Sequence, residues 1–344
     1  MSVDASNALL SWYAVDKRSL PWRAEAGQAP DPYRVWLSEV MLQQTTVAAV
    51  RPRFETFARR WPTVEALAAA DEGEVMAAWA GLGYYARARN LIACAREVAT
   101  RHGGRFPASE DALRTLPGVG RYTAAAIAAI AFGQRAVVVD ANVERVVSRL
   151  FAVEQPLPGS RPKLHALTDT ITPRALCGDF AQAMMDLGSA ICTPRQPACG
   201  ICPLRDGCAA RLQGNPEAYP RKLPKVARPK RRGSAYWLEH DGLVLLVRRP
   251  PRGLLGGLLG LPGGGWSEEG RTHEDAPAAA DWAHAGSIGH VFTHFALTLD
   301  LYCAVASDLD AAGTWWPVER IGEAGLPTLF AKAAARGLAW RQAA

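Results

Sequence analysis

Four cysteines lie close together in the 344-residue sequence, in the segment CTPRQPACGICPLRDGC over residues 192–208. Their spacing is C-x6-C-x2-C-x5-C, and thiols grouped in this way bind a metal in proteins whose cysteines stay reduced. Four thiolates suit zinc and an iron–sulfur cluster about equally, so the spacing alone leaves both open. Cys94, Cys177 and Cys303 are isolated and are expected to be buried thiols. The candidate metal ligands are Cys192, Cys199, Cys202 and Cys208.

Two carboxylic acids far apart in the sequence are candidates for cleaving a glycosidic bond. Glu39 lies among apolar residues of DPYRVWLSEVMLQQT, and such surroundings raise the pKa of a carboxyl group so that it keeps a proton. Asp140 follows the apolar run VVV and begins a predicted helix, where an aspartate is also a common N-cap. A proton donor beside an ionised carboxylate stabilises an oxocarbenium-like transition state. An exposed helical glutamate and a plain N-cap remain the alternatives.

The segment LPGVG over residues 116–120 predicts a tight turn between two helices. Glycines at positions 118 and 120 permit turn conformations, and we expect the backbone N–H groups of Gly118, Val119 and Gly120 to face a phosphate together with the following helix N-terminus. A helix–helix turn without any ligand is the alternative.

The elements that must position these residues are predicted to be helical over the first 200 residues. Gly and Pro residues separate stretches rich in Ala, Leu and Glu, and β-branched runs are rare. The predicted helices cover 32–49, 64–79, 84–101, 109–116, 121–132, 141–150 and 179–190.

The pattern changes after the basic segment RKLPKVARPKRR at 221–232, which predicts either a linker close to phosphate or a solvated hinge. Two apolar runs on either side of Asp241-Gly242 predict a β-hairpin. Strand character follows over 287–306 and in GTWWPVE, and a helix is predicted over 326–337. The second domain is therefore expected to be α+β.

The charge is unevenly distributed along the chain. Of 39 Lys and Arg and 33 Asp and Glu residues, 8 and 12 fall in 236–344, which leaves 31 and 21 in 1–235. A basic domain favours contact with a polyanion, although solubility alone could explain the charge. The sequence has no recognisable signal peptide and no apolar run long enough for a membrane span, so we expect a cytoplasmic protein.

Taken together and in order, VWLSEVMLQQT, GLGYYARARN, LPGVGRYTA, VDANVERV and the cysteine segment resemble the helix–hairpin–helix DNA glycosylase superfamily. Within it, the sequence is most similar to the MutY family of adenine DNA glycosylases. The resemblance is close over about 200 N-terminal residues. It implies a [4Fe–4S] cluster on the four cysteines, with Arg195 and Arg205 carried toward the DNA backbone.

The related endonuclease III family has a lysine two residues after the last hairpin glycine, and this amine attacks the sugar. Tyr122 occupies that position here, and a phenol cannot form an imine. The resemblance therefore implies a monofunctional glycosylase. An endonuclease III-like glycosylase/lyase and a catalytically silent lesion-binding protein are the alternative functions.

The resemblance also implies the roles of individual residues. Glu39 would protonate adenine N7, Asp140 would stabilise the cationic sugar, Tyr122 would support that cation, and Asn142 would keep the site in order. Ala141 stands where relatives commonly have Gly. The flipped adenine would be bound by walls from KRSLPWR and by Asp186, which would accept from its exocyclic amine. The wall residues are Arg18, Leu20, Trp22 and Arg23.

Other residues would contact the DNA around the extruded base. The family resemblance assigns Gln44, with Thr45 beside it, and Tyr84 to wedging into the base stack. Tyr84 and Tyr85 cannot both face DNA, so a core position for Tyr84 is the alternative.

The C-terminal segment resembles the Nudix-like domain of the same family. Gly263 and Glu269 match the start of a Nudix motif, but position 277 is Pro and no REUxEE sequence follows, so magnesium would lack its carboxylate ligands. In VFTHF, the residues Phe292, Thr293 and His294 match a segment that contacts 8-oxoguanine. A histidine satisfied within its own strand is the alternative for His294.

These inferences give a multidomain chain: an all-α helix–hairpin–helix glycosylase domain with an iron–sulfur loop, followed by an α+β Nudix-like domain. The substrate would be double-stranded DNA that contains adenine mispaired with 8-oxoguanine or guanine, bound by a cytoplasmic, nucleoid-associated monomer. Three segments are predicted: a glycosylase domain at 1–214, a basic linker at 215–234 and the Nudix-like domain at 235–344. Within the glycosylase domain, a six-helix part covers 31–133 and includes the helix–hairpin–helix at 111–132. Residues 1–30 and 134–214 together form the part that holds the cluster.

Overall fold

The computed structural model describes residues 2–25, 27–224, 227–250, 253–268 and 275–343. The chain forms two compact units. The first comprises Met1–Asp71 and Ala86–Pro224, and the second comprises Glu72–Tyr85 and Lys225–Ala344. None of the helices in the described ranges is long and apolar enough to cross a membrane.

The first unit is helical, and the second unit contributes α5 between α4 and α6 in the sequence. The helices up to the cysteine segment are α1 (Ser2–Asp16), α2 (Pro32–Leu42), α3 (Val47–Arg60), α4 (Val64–Ala68), α5 (Glu72–Ala78), α6 (Ala86–Arg101), α7 (Glu110–Leu113), α8 (Arg121–Phe132), α9 (Ala141–Leu150), α10 (Arg161–Ile171) and α11 (Cys177–Ala190). A short helix, α12 (Ala209–Leu212), follows the last cysteine of that segment.

Local capping explains why the predicted helix 32–49 is two helices. Asp31 accepts a hydrogen bond from the N–H of Tyr33, and Pro32 occupies the first turn, so α2 begins there. The side chain of Thr46 accepts from the N–H of Ala49 and starts α3. Between them, Gln44 has a φ of 56°, which ends α2.

Close helix contacts in the first unit depend on two glycines of α11. A Cβ on Gly178 would lie 2.7 Å from the carbonyl oxygen of Ala129 in α8, and a Cβ on Gly188 would lie 2.6 Å from Cβ of Asn142 in α9. The glycines therefore let α11 approach both helices at backbone distance. The apolar core around them includes Leu9, Val143, Val147, Leu164, Phe180, Met184 and Leu187.

The second unit contains a six-stranded mixed sheet with the order β3-β2-β1-β5-β4, and β6 pairs with β2. Only the β1–β5 pair is parallel among the described pairs. The long helix α13 (Thr328–Ala343) packs against β1, β4 and β5. The strands are β1 (Lys230–His240), β2 (Leu243–Arg248), β3 (Leu259–Gly260), β4 (Ala283–Val291), β5 (Ala296–Val305) and β6 (Thr314–Pro317).

The hairpin predicted at Asp241-Gly242 is present. Both residues have positive φ, 44° and 75°, and they join the antiparallel strands β1 and β2. The segment 287–306, predicted to have strand character, forms most of β4 and all of β5 with a turn between them, where the N–H of Phe292 donates to the carbonyl of Phe295. The α+β class of the second domain is confirmed.

Parts of the segment predicted as a linker over 215–234 belong to regular structure in the described residues. Tyr219 is 2% exposed and belongs to the first unit, and Lys222 forms a β-bridge with Leu157. Lys230 already begins β1. Composition favoured a linker because Lys, Arg and Pro are poor strand formers, but strand β5 supplies pairing partners that the local sequence does not reveal.

Candidate active site

A buried carboxyl group and a phenol lie together in the first unit. Glu39 of α2 is 6% exposed, and the hydroxyl of Tyr122 in α8 donates to its Oε2 at 2.7 Å. The two residues are 83 positions apart in the sequence, and packing of α2 on α8 brings them together. The first residue of the predicted pair is therefore buried rather than exposed on its helix.

Burial raises the pKa of Glu39 from its ordinary value of 4.5 to about 7, because the apolar surroundings disfavour the charged form. The hydrogen bond from Tyr122 and the charge of Arg23 act in the opposite direction, and the nearby charge of Asp140 raises the pKa further. Glu39 can consequently hold a proton near neutral pH, as the apolar sequence context predicted.

Asp140 is the N-cap of α9 and is close enough to Glu39 to affect its pKa. Its Oδ1 accepts from the N–H of Val143 at 2.7 Å, and its Oδ2 accepts from Nδ2 of Asn142 at 2.9 Å. Burial raises the pKa of Asp140, while these hydrogen bonds and the charge of Arg145 lower it. The residue thus caps a helix and also lies beside the buried acid, so the two readings of Asp140 are compatible.

Arg145 connects the surroundings of Asp140 to the cysteine segment. Its Nη2 donates to Oδ1 of Asn142 at 2.9 Å and to the carbonyl of Gly188 at 2.5 Å, and its Nε donates to the carbonyl of Cys192 at 2.7 Å. The sequence analysis missed this residue. It lies one helical turn after Asn142, and this spacing places the two residues on the same face of the helix.

Asp186, the predicted acceptor for adenine, has two arginine partners. Its side chain is 1% exposed, and both oxygens accept from these arginines. Arg23 donates through Nη1 and Nη2 at 2.6 and 2.7 Å, and Nε of Arg18 donates at 2.6 Å. These charges lower the pKa of Asp186 despite its burial. Asp186 therefore anchors the segment KRSLPWR to α11, and its contact with adenine stays a prediction.

A cavity opens beside Glu39. Its walls include all four residues predicted from KRSLPWR, and Asp140 and Tyr122 are not among them. Gln182 of α11 also lines the cavity, and the sequence analysis missed it. Its Nε2 donates to the carbonyl of Gly178 at 3.2 Å. The spacing of Gln182 and Asp186 by one helical turn was a signal for a shared helix face. The cavity is lined by Arg18, Leu20, Trp22, Arg23, Val35, Ser38, Glu39, Leu42, Val47, Ile130, Gln182 and Met185.

The four clustered cysteines line a second pocket. Within the described ranges, no group of three or more His, Cys, Asp or Glu side chains is arranged to hold a single metal ion. Four cysteines around one pocket supply the four thiolates that a [4Fe–4S] cluster takes as ligands, so these residues fit such a cluster. Burial raises the pKa of Cys202 to about 11, so its thiolate needs a positively charged group to form.

Arg149 organises the cysteine loop from α9. It is 2% exposed, and its guanidinium donates to Sγ of Cys192 at 3.3 Å and to the carbonyls of Thr193 and Pro194 at 2.8 and 3.1 Å. Its Nε donates to the carbonyl of Tyr219 at 3.1 Å. One buried cation therefore closes the loop on several carbonyls. The isolated cysteines Cys94, Cys177 and Cys303 are buried, as predicted.

The hairpin between α7 and α8 has the expected turn, with φ of 73° at Gly118. A Cβ there would lie 2.6 Å from Cβ of Asn90, so glycine is needed for space as well as conformation. The N–H of Val119 donates to the carbonyl of Leu116 at 3.1 Å. The turn itself therefore uses the N–H of Val119, and contact of this residue with DNA stays a prediction. Gly120 borders open space at the start of α8.

The residues predicted to enter the base stack have accessible side chains or unusual backbones. Gln44 has a positive φ. The next residue, Thr45, is held by Arg87, whose Nη2 donates a hydrogen bond to its Oγ1 at 3.1 Å. Tyr84 also has a positive φ, of 48°, and is 51% exposed, whereas Tyr85 is buried. A core position for Tyr84 is thereby excluded, and its contact with DNA stays a prediction.

Phe292, Thr293 and His294 lie at the tip of the β4–β5 hairpin in the second unit. Thr293 and His294 are exposed, so His294 is not a histidine buried within a strand. Phe292 is half-buried and packs against Phe295 with ring centroids 5.0 Å apart. Glu269 of the Nudix motif lies outside the described residues.

Three family models match the chain. Residues 37–164 match the model described as HhH-GPD superfamily base excision DNA repair protein, residues 192–208 match the iron–sulfur binding domain of endonuclease III, and residues 234–336 match a NUDIX domain. The chain is a helix–hairpin–helix DNA glycosylase of base excision repair, an enzyme that hydrolyses N-glycosyl bonds and carries a [4Fe–4S] cluster and a Nudix-like domain.

It belongs to the adenine DNA glycosylase family. The adenine DNA glycosylase of Homo sapiens is 37% identical over 359 residues, which cover 86% of this chain and 66% of the human protein. That of Rattus norvegicus is 35% identical and covers 91% of this chain and 72% of its own length. The Mycobacterium tuberculosis protein is 43% identical over 231 residues, 66% of this chain and 72% of its own length. The chain thus spans about two thirds of the human relative.

Solved structures share the fold of the helical unit. A thermostable thymine-DNA glycosylase matches with a TM-score of 0.55 and 32% identity over 60% of this chain and 95% of its own. An endonuclease III–DNA complex matches with a TM-score of 0.51 and 24% identity over 61% of this chain and 94% of its own. The predicted class of the first domain, an all-α helix–hairpin–helix fold, is confirmed.

Proposed function

We propose that this glycosylase removes adenine that is mispaired with 8-oxoguanine or guanine in double-stranded DNA, and that it does so without cutting the strand. The observation that carries the proposal is the buried carboxyl group of Glu39, whose pKa of about 7 lets it hold a proton near neutral pH. Its Oε2 accepts a hydrogen bond from Tyr122, the charge of Asp140 affects its pKa, and its side chain lines a pocket together with the residues of KRSLPWR.

Adenine must leave the base stack before it can enter this cavity. Glu39 then donates its proton to N7 of adenine, so the base departs as a neutral leaving group. Asp140 is held by Val143 and Asn142 in a fixed orientation, and its negative charge stabilises the oxocarbenium-like sugar that remains. A water molecule then attacks the sugar, and the proton it loses passes to the carboxylate left on Glu39, which completes hydrolysis of the bond and restores the acid.

The absence of strand cleavage follows from the chemistry of Tyr122. A lyase needs an amine that forms a Schiff base with the sugar, and Tyr122 offers a phenol whose pKa is raised well above its ordinary value by burial. The product is therefore an intact strand with an abasic site. This step separates the proposal from an endonuclease III-like glycosylase/lyase.

The cluster takes no part in the bond-breaking step. Cys192, Cys199, Cys202 and Cys208 would hold it, and Arg149 would balance part of its negative charge. When bound, it would draw the thiolates together and so fix the loop between α11 and α12.

We also propose where the two domains begin and end. The glycosylase domain extends to about residue 224, and the Nudix-like domain begins at β1. The enzyme acts as a monomer on chromosomal DNA in the cytoplasm. Thr293 and His294 at the hairpin tip read the partner base, because both side chains are exposed beside the aromatic cluster of the second unit.

A single-turnover assay tests the proposal. Duplexes with 8-oxoguanine:A, G:A and T:A are incubated with excess enzyme, and each sample is analysed with and without alkali. We expect base release in the order 8-oxoguanine:A, then G:A, with T:A inert, and strand breaks only after alkali. Strand breaks without alkali would support the lyase, and DNA binding without any base release would support a silent lesion-binding protein.

Glu39→Gln is the matched control in this assay. It keeps the shape and hydrogen-bonding capacity of the side chain but cannot donate the proton, so binding should persist while excision is lost by at least about 10²-fold. Normal base release by this variant would show that the acid is a different residue.

A further inference from the structure

The ring of Trp266 in the second unit packs directly on the backbone of β1 at Gly233. A Cβ on Gly233 of β1 would lie 2.3 Å from Cδ1 of Trp266, so only glycine permits the ring to sit over this strand. The next residue, Ser267, pairs with Arg232 through two backbone hydrogen bonds of 2.8 and 3.1 Å. Trp266 is thus fixed on β1 from both its backbone and its ring.

The indole contacts the guanidinium group of Arg249. The guanidinium carbon of Arg249 lies 5.0 Å from the centroid of Trp266 and 5.8 Å from that of Phe330. Within the ranges that the structure describes, Nε of Arg249 is buried without a hydrogen-bond partner, and no carboxylate forms an ion pair with it. The two aromatic rings are therefore its main stabilising contacts.

Trp266 also supports the hairpin tip. Its ring stacks on Phe292 with centroids 5.5 Å apart and planes at 23°. Phe292 contacts His290 at 4.5 Å and Phe295 at 5.0 Å, and it directly precedes the exposed residues Thr293 and His294. The exposed tip therefore rests on an aromatic stack that begins at β1.

We infer that Trp266 is a positioning residue that determines partner-base preference: by holding Phe292, it fixes the tip at Thr293 and His294 in the geometry that reads 8-oxoguanine. This inference rests on the proposed function of the tip. Trp266 contributes no atom to the base-excision site in the first unit. Its loss should consequently change the ratio between two partner bases rather than the intrinsic excision rate.

The test uses the full chain with its cluster and three variants. Trp266→Ala removes the stack, and Trp266→Phe retains an aromatic ring. Trp282→Ala is the control, because Trp282 is another half-buried tryptophan of the same unit that packs on Tyr236 and not on the tip. Single-turnover excision rates at subsaturating enzyme are measured on 8-oxoguanine:A and G:A duplexes, and thermal melting verifies folding.

We expect Trp266→Ala to lower the rate ratio of 8-oxoguanine:A to G:A about three- to tenfold, the worth of one aromatic pair, with an unchanged G:A rate. Trp266→Phe should restore most of the ratio, and Trp282→Ala should leave it unchanged. An unchanged ratio in Trp266→Ala, or equal losses on both duplexes in Trp266→Ala and Trp282→Ala, would overturn the inference. If wild type itself shows no preference, the proposed function fails instead.

Discussion

At the scale of single residues, the protonation state of Glu39 sets the upper pH limit of excision. Its pKa of about 7 is raised by burial, and the acid is active only while protonated. The single-turnover rate should therefore fall about tenfold per pH unit above pH 7. Toward low pH the rate should fall again as Asp140, whose pKa is also raised by burial, becomes protonated. A rate that stays constant up to pH 9 would contradict this assignment.

The hydrogen bond from Tyr122 gives this pH profile a second test. Because that bond lowers the pKa of Glu39, its removal should let Glu39 keep its proton to higher pH. Tyr122→Phe should thus move the alkaline limb of the rate profile upward, whatever its effect on the maximal rate. Single-turnover rates measured at half-unit intervals from pH 5 to 9, about nine points, would detect the shift. A limb that moves to lower pH would be inconsistent with the hydrogen bond.

Asp186 gives a residue-scale test between anchoring a loop and binding adenine. Asp186→Asn leaves Arg18 and Arg23 without their buried anion, and the loss of one partner from such an ion pair costs about 3–5 kcal/mol. We expect a clearly lower melting temperature together with slower excision. A direct contact to the adenine amine would instead slow excision at unchanged stability. Asp179→Asn is the control, since Asp179 is exposed on the same helix.

At the scale of elements, the packing of α11 on α9 positions the residues of the cavity and of the cysteine loop relative to Asp140. Gly188 allows the close approach to Asn142, and Arg145 bonds to Asn142, Gly188 and Cys192 across that contact. Gly188→Ala should force the first turn of α9 away and slow excision at least about tenfold through Asp140. Ser189→Ala, at an exposed position of the same helix, is the control. Single-turnover kinetics, with iron content as a parallel measurement, would distinguish displacement from cluster loss.

The same elements explain what the sequence could predict. Local signals were sufficient for the Asp140 cap, the Gly118 turn and the hairpin at Asp241-Gly242, because each depends on a few neighbouring residues. The contact between Glu39 and Tyr122 and the role of Arg145 arise from helix packing across many residues. No local pattern carries that information. Family resemblance supplied the pairing of Glu39 with Asp140, whereas the contacts of Asp186 with Arg18 and Arg23 were found only in the structure.

At the scale of the whole molecule, each of the two units has an apolar core of its own. The core of the helical unit includes Val143 and Leu187, and Cys192, Cys202 and Cys208 pack against it. The core of the second unit includes Trp237, Leu299 and Phe330. A bound cluster therefore contributes directly to the first core, since its formation draws together three cysteines that cover this core.

This arrangement predicts an unequal response to iron removal. When the cluster is oxidised and its iron is chelated, backbone amides of α9 and α11 should lose protection from hydrogen exchange, because Arg145 and Arg149 lose the ordered loop that they bind. Amides of β1 and β5 should exchange at unchanged rates, because their core contains no cluster ligand. Mass spectrometry of peptides from the native full-length protein measures both regions in one experiment. Equal loss of protection in both regions would mean that the cluster stabilises the entire chain. Unchanged exchange rates in α9 and α11 would mean that the hydrogen bonds from Arg149 to the loop carbonyls hold the loop without iron.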